Sequence, residues 1–85
     1  MPEISRFYGI VIRMFYNDHA PPHFHAQYGN SRATFDLSTL TMRGTLPNRA
    51  ERLVVEWSRI HASELNMDWS LVSEGRPPLP IAPLE

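Results

Sequence analysis

His23-Phe24-His25-Ala26-Gln27-Tyr28-Gly29-Asn30-Ser31-Arg32-Ala33-Thr34-Phe35-Asp36 is the stretch that decides the fold. Polar and apolar residues alternate on both sides of Gly29-Asn30, a dipeptide suited to a two-residue hairpin turn. Such a turn pairs Tyr28 with Ser31, and the register follows: Gln27 opposite Arg32, Ala26 opposite Ala33, His25 opposite Thr34, Phe24 opposite Phe35 and His23 opposite Asp36. Every pair then matches polar with polar or apolar with apolar, and a one-residue slip would destroy the match. A four-residue loop keeps the parity and sets His25 opposite Asp36, so either register puts a histidine beside that carboxylate.

Upstream, residues 5–16 are rich in β-branched and aromatic side chains and read as one long strand. Tyr8, Ile10, Ile12, Met14 and Tyr16 form an apolar face; Phe7, Gly9, Val11, Arg13 and Phe15 form a mixed one, with Gly9 marking a bulge or a close backbone approach. Residues 17–22 form a loop in which Asn17-Asp18 favours an Asx turn and Pro21-Pro22 an extended exit. Antiparallel pairing of this strand with the next brings Arg13 near His25 and Phe15 near His23.

Downstream, Ser38-Thr39 suggests a tight turn and residues 40–45 a short fourth strand ending near Gly44. Pro47 suits a helix start, and Ala50, Leu53, Val54, Trp57, Ile60 and His61 follow the spacing of an amphipathic helix. Asn66 is placed to cap a second short helix carrying Met67, Trp69, Leu71 and Val72, with Gly75 as its stop. Trp57 and Trp69 read as core anchors, and His61 as a packed or capping histidine. The expected fold is α+β: an antiparallel sheet of three to four strands with a C-terminal helix pair on one face. Residues 1–75 form the single domain, and residues 76–85, with four of the eight prolines, an extended surface tail.

With 85 residues, 42% apolar and 20% charged, the chain is sized for one small globular domain. The absence of cysteine excludes disulfides, thiolate zinc sites and a cysteine nucleophile. The net charge is −1 and all eight basic side chains are arginines, which argues against a broad nucleic-acid groove but leaves bidentate anion contacts open. The N-terminus lacks a secretory pattern, and no apolar run approaches the ~20 residues of a membrane span, so a cytoplasmic protein without a membrane partner is expected.

Three of the four histidines fall within residues 17–25, and imidazole is both a near-neutral acid–base group and a common metal ligand. His23 and His25 share one strand face. As catalysts they would transfer protons while Arg13 or Arg32 clamps a phosphate and Asp36 orients an imidazole, making a small nuclease or phosphate-handling enzyme with RNA as one substrate. As metal ligands, His23, His25 and His19 would hold a divalent ion, with Asp18, Asp36 or His61 as further donors; no third ligand stands at a diagnostic spacing. As a binding surface, Phe7, Val11, Arg13, Phe15, Asp18, His19, His23, His25 and Arg32 would meet a protein partner or a second copy in a dimer. A solvated sheet face with cross-strand polar pairs is the plain alternative to all three.

The segments ISRFYGIVIRM, DHAPPHFHAQYG and GTLPNRA, followed by Val55-Glu56-Trp57, resemble the bacterial domain-of-unknown-function 4160 family over residues 4–78. The resemblance implies a small α+β protein with no established activity, often encoded beside a second small domain and proposed to form toxin–antitoxin-like pairs. It places the family signature on Asp18, His19, Pro21, Pro22, His23, Phe24, His25 and Tyr28 without giving any of them a role. Asn30-Ser31-Arg32 departs from the family pattern and adds an arginine beside the histidine face. The leading expectation is therefore a non-enzymatic interaction module, one half of a toxin–antitoxin-like or regulatory gene pair.

Overall fold

Strict alternation through short turns folds the chain into a meander. The computed structural model describes residues 2–85. Strands β1 (Glu3–Phe7), β2 (Ile10–Arg13), β3 (His23–Tyr28), β4 (Ser31–Asp36) and β5 (Met42–Gly44) form one sheet in chain order, antiparallel throughout. Helices α1 (Asn48–Ile60) and α2 (Ala62–Ser73) follow. Strands β3 and β4 pair in the register that the two-residue turn dictates, from Tyr28 opposite Ser31 to His23 opposite Asp36. Of the two turn residues only Gly29 has a positive φ, +58°, which a turn with glycine at its first central position requires.

The expected long strand over residues 5–16 is two strands, giving five among the described residues. Tyr8 and Gly9 take φ of +50° and +81° and close a two-residue hairpin in which Phe7 pairs with Ile10. The apolar pattern runs unbroken through this turn, which hid it. Pairing across a two-residue turn puts Phe7 and Ile10 on the same face, so Phe7 enters the core at 5% exposure instead of facing outward. The irregularity expected at Gly9 lies between Glu3 and Ser5.

One face of the sheet carries Ile4, Phe7, Ile10, Ile12, Phe24, Ala26, Ala33 and Phe35 into the core against Ala50, Val54 and Trp57 of α1 and Leu65 and Val72 of α2. Phe24 and Phe35, a register pair, stack with centroids 5.3 Å apart, and Trp57 meets Phe24 edge-on. Helix α2 begins four residues before Asn66, since His61 ends α1 and passes directly into it; the Asn66 amide donates to Ala62 O within the helix. At the other end Gly75 (φ +76°) donates to Val72 O and Arg76 to Leu71 O, a Schellman motif that stops α2 where glycine was expected to.

Residues after Gly75 have no regular secondary structure, yet they are tied to the domain. Leu79 N–H donates to Asp68 Oδ1, Ile81 N–H to Ile4 O beside the outer strand, and Trp57 Nε1–H to Ala82 O. Ile81 is buried. Among the described residues no helix is long and apolar enough to cross a membrane.

Candidate metal centre

The sheet face turned away from the core presents Val11 and Arg13 from β2, His23, His25 and Gln27 from β3, Arg32, Thr34 and Asp36 from β4, and Arg43 from β5. Register orders them into rows: Arg13, His25, Thr34 and Arg43 form one row across four strands, and Val11, Gln27 and Arg32 the next. Phe15, leaving β2, lies edge-on to His25 with ring centroids 4.3 Å apart, two residues along β3 from the contact with His23 that was expected. Phe7, expected on this surface, is on the core side against Trp57.

Asn17, at φ +56°, turns the loop back over the sheet and delivers the Asp18 carboxylate to the histidines. Asp18 Oδ2 lies 2.8 Å from His23 Nε2 and 3.1 Å from His25 Nε2, while Oδ1 accepts from the His19 backbone N–H at 3.0 Å. One donor atom from each of Asp18, His23 and His25 falls within 4.8 Å of the others. His23 Nδ1 lies 2.8 Å from Pro21 O, and the His23 ring rests on Trp69, centroids 5.3 Å apart. Partial burial works against the charge of Asp18, but the contacts of His25 and His23 and the His19 N–H outweigh it and hold the carboxyl below its usual range.

The Pro21 carbonyl only accepts, so His23 Nδ1 carries a proton. A neutral His23 therefore points the lone pair of Nε2 at a carboxylate oxygen 2.8 Å away. Two acceptors at that distance repel unless a positive charge, a proton on the ring or a cation between the atoms, accompanies them. His25 Nε2 has no such conflict, since as a neutral donor it can give its proton to Asp18.

The other expected site residues lie elsewhere. Asp36 is the register partner of His23, but its Oδ1 accepts from Ser38 N–H at 2.8 Å, Ser38 Oγ–H at 2.6 Å and Thr39 N–H at 3.1 Å, and these bonds lower its pKa. Local turn donors outcompete the cross-strand imidazole, and Asp18 takes the position beside it. The His19 ring is 93% exposed, 3.4 Å from Asp18 Oδ1 and outside the converging donors. His61 pairs with Glu64 at 2.6 Å and packs on Trp57 at the helix junction. Arg13 donates to Gln27 Oε1 at 2.9 Å, whereas Arg32 is exposed with no side-chain partner among the described residues. Trp69, read as a core anchor, does pack half-buried against the core, and its ring also stands behind His23, a link to the site that sequence spacing gave no means of finding.

Two adjoining clefts hollow this face. One, of about 370 Å³, is lined by Asp18, His19, His23, His25, Thr34 and Arg43 among others. The second, of about 430 Å³, is lined by Arg13, Phe15, His25, Arg32, Thr34 and Arg43 among others.

Fold and site define a small α+β protein whose five-stranded antiparallel meander carries a carboxylate–imidazole cluster on its open face. The chain belongs to the family described as Domain of unknown function (DUF4160), whose model matches residues 9–70. That span contains the whole cluster and Trp69. No curated protein and no solved structure matches the chain.

Proposed function

We propose that the protein binds a divalent transition-metal ion through Asp18 Oδ2, His23 Nε2 and His25 Nε2. The observation that carries this reading is the bond from His23 Nδ1–H to Pro21 O, with Nε2 aimed at Asp18. A second bond of this kind fixes the tautomer and ring orientation of metal-ligating histidines and leaves the other nitrogen free to coordinate. Two imidazoles and a carboxylate suit zinc, iron or copper rather than calcium or magnesium. Ligand atoms on a tetrahedral ion with bonds of ~2.1 Å lie roughly 3.4 Å apart, so the present 2.8 and 3.1 Å contacts need spread by only a few tenths of an ångström. Three protein ligands beside an open cleft leave coordination positions for water or a ligand, unlike a closed structural site.

The expectation of a docking module rests on a mixed aromatic–polar outer face, and its toxin–antitoxin-like pairing on the family resemblance alone. With Phe7 in the core, that face keeps only half-buried Val11 and Phe15 as apolar groups among arginines and histidines. Its chemistry favours a cation and anionic ligands over an apolar protein surface.

Titration of the metal-free full-length chain with Zn²⁺, and with Co²⁺ read by visible absorption, tests the proposal. One ion per chain is expected, with affinity falling roughly a hundredfold in Asp18→Asn or His25→Ala and unchanged in His19→Ala. Absence of stoichiometric binding of either ion, or equal affinity in the Asp18→Asn variant, overturns it.

A further inference from the structure

The cleft beside the histidines carries a second feature that the metal proposal leaves unused. Arg13, Arg32 and Arg43, from three different strands, line it together with His25 and Thr34. Among the described residues none of the three forms a salt bridge. Glu3, which stands opposite Arg13 in the β1–β2 register, gives both carboxylate oxygens to Arg6, at 2.9 and 3.1 Å. Arg13 is instead oriented by a neutral group: it donates to Gln27 Oε1, and the Gln27 amide is fixed in turn by donating to Gly29 O at 3.1 Å. Arg13 is thus half-buried and held in place without a salt bridge of its own; the Glu3 carboxylate feels its charge but is bound to Arg6, which leaves the guanidinium free to take an external anion.

We infer that this cleft is a binding site for the phosphate groups of a small phosphorylated ligand. Arg13 and Arg43 stand at the two ends of the row in which His25 and Thr34 occupy the middle, three strand spacings or roughly 14 Å apart at the backbone. Long guanidinium side chains leaning in from both ends and from Arg32 enclose an anion above Thr34, whose hydroxyl supplies another donor. Three guanidinium groups without salt bridges among the described residues match a diphosphate better than a single carboxylate. The volume of about 430 Å³ lies within the range of small-ligand pockets, and the Phe15 ring at its wall offers a surface for a base or another planar group. A polynucleotide is the less fitting ligand: the three arginines belong to one cleft and the chain as a whole has a net charge of −1. His25, Thr34 and Arg43 line both clefts, so a bound phosphate would sit beside the three converging donors.

Isothermal titration calorimetry on the full-length chain, kept metal-free with a chelator so that the outcome does not depend on the metal proposal, tests the inference with pyrophosphate, ADP and a single-stranded oligonucleotide. Binding of pyrophosphate and ADP is expected, weakened about tenfold in Arg13→Gln and in Arg43→Gln and weakening further with salt. The Arg43 side chain is exposed and makes no hydrogen bond among the described residues, so Arg43→Gln keeps the fold even if Arg13→Gln does not. Arg59→Gln, on the last turn of α1, is the control expected to bind as the parent does. No binding of either phosphorylated probe at millimolar concentration, unchanged affinity in Arg43→Gln, or binding confined to the oligonucleotide overturns it.

Discussion

Asp18 Oδ2 and His23 Nε2 face each other across 2.8 Å without a hydrogen between them whenever the imidazole is neutral, because its single proton is on Nδ1 and given to Pro21. This relationship separates the two ring nitrogens into a structural and a chemical one, and substitutions can address them singly. Asparagine places an amide N–H near the position of Nδ1 and nothing near Nε2. His23→Asn is expected to keep the loop bond to Pro21, with a stability cost of about 1 kcal/mol, and to lose roughly a hundredfold in Zn²⁺ affinity. Chemical denaturation and metal titration of one preparation check both halves. Parent-like zinc affinity in this variant would remove His23 from the ligand set.

Asp68 makes stability depend on pH. Asp68 is 1% exposed; Oδ1 accepts from Leu79 N–H and Oδ2 has no partner among the described residues. Burial raises its pKa, opposed by the Leu79 N–H, and nearby Glu64 raises it further. A carboxyl with a higher pKa folded than unfolded binds more protons in the folded state, so its contribution to stability falls as pH rises from the ordinary aspartate value through the raised one. At neutral pH the residue is therefore a cost that acid relieves. Asp68→Asn retains the acceptor for Leu79 and removes the charge, so it is expected to melt higher than the parent at pH 7, with the gap closing as pH falls toward 4. Thermal melts across that range check it; a variant less stable at pH 7 would contradict the sign.

Gly44 is a backbone constraint next to Arg43. At φ +101° it occupies a region open essentially to glycine, and an added Cβ would stand 2.5 Å from Arg32 O and 3.0 Å from the Ala33 Cα, both backbone atoms. Gly44→Ala is expected to cost about 2 kcal/mol or more and to shift β5 away from β4, taking Arg43 out of its row. Urea denaturation checks the energy. A loss under half that size would mean the strand absorbs the methyl group without strain.

What the sequence disclosed about the fold and the cluster divides by range of interaction. The parity of the β3–β4 pairing was legible because strict alternation buries Phe24, Ala26, Ala33 and Phe35 together, while the choice between the two- and four-residue loops was made by the tight turn at Gly29-Asn30. The Tyr8-Gly9 turn was not, since apolar residues on both sides mimic one strand and only the backbone φ values reveal the reversal. Register placed Asp36 opposite His23 correctly, yet Cα pairing does not say where a carboxylate turns, and the donors of Ser38 and Thr39 were nearer. Asp18 reaches the histidines by a loop reversal at Asn17, and Trp69 reaches His23 from a helix far along the chain. Both depend on tertiary packing that no local pattern records.

The same long-range packing makes the proline-rich segment a test of where the domain ends. Ile81 is 4% exposed, its N–H bonds to Ile4 O, and the neighbouring Ala82 carbonyl accepts from Trp57 Nε1–H, the buried indole at the centre of the core. A segment that only lay on the surface would tolerate loss of one side chain. A segment that closes the core between β1 and α1 would not, since Ile81→Ala leaves a cavity beside residues that cannot collapse into it. The expected cost is about 2–4 kcal/mol in urea denaturation, accompanied by faster proteolysis after Gly75. The Arg76→Gln variant, altering an exposed residue before the tied region, should be near neutral. An Ile81→Ala cost below about 0.5 kcal/mol would instead put the end of the cooperative unit at Gly75.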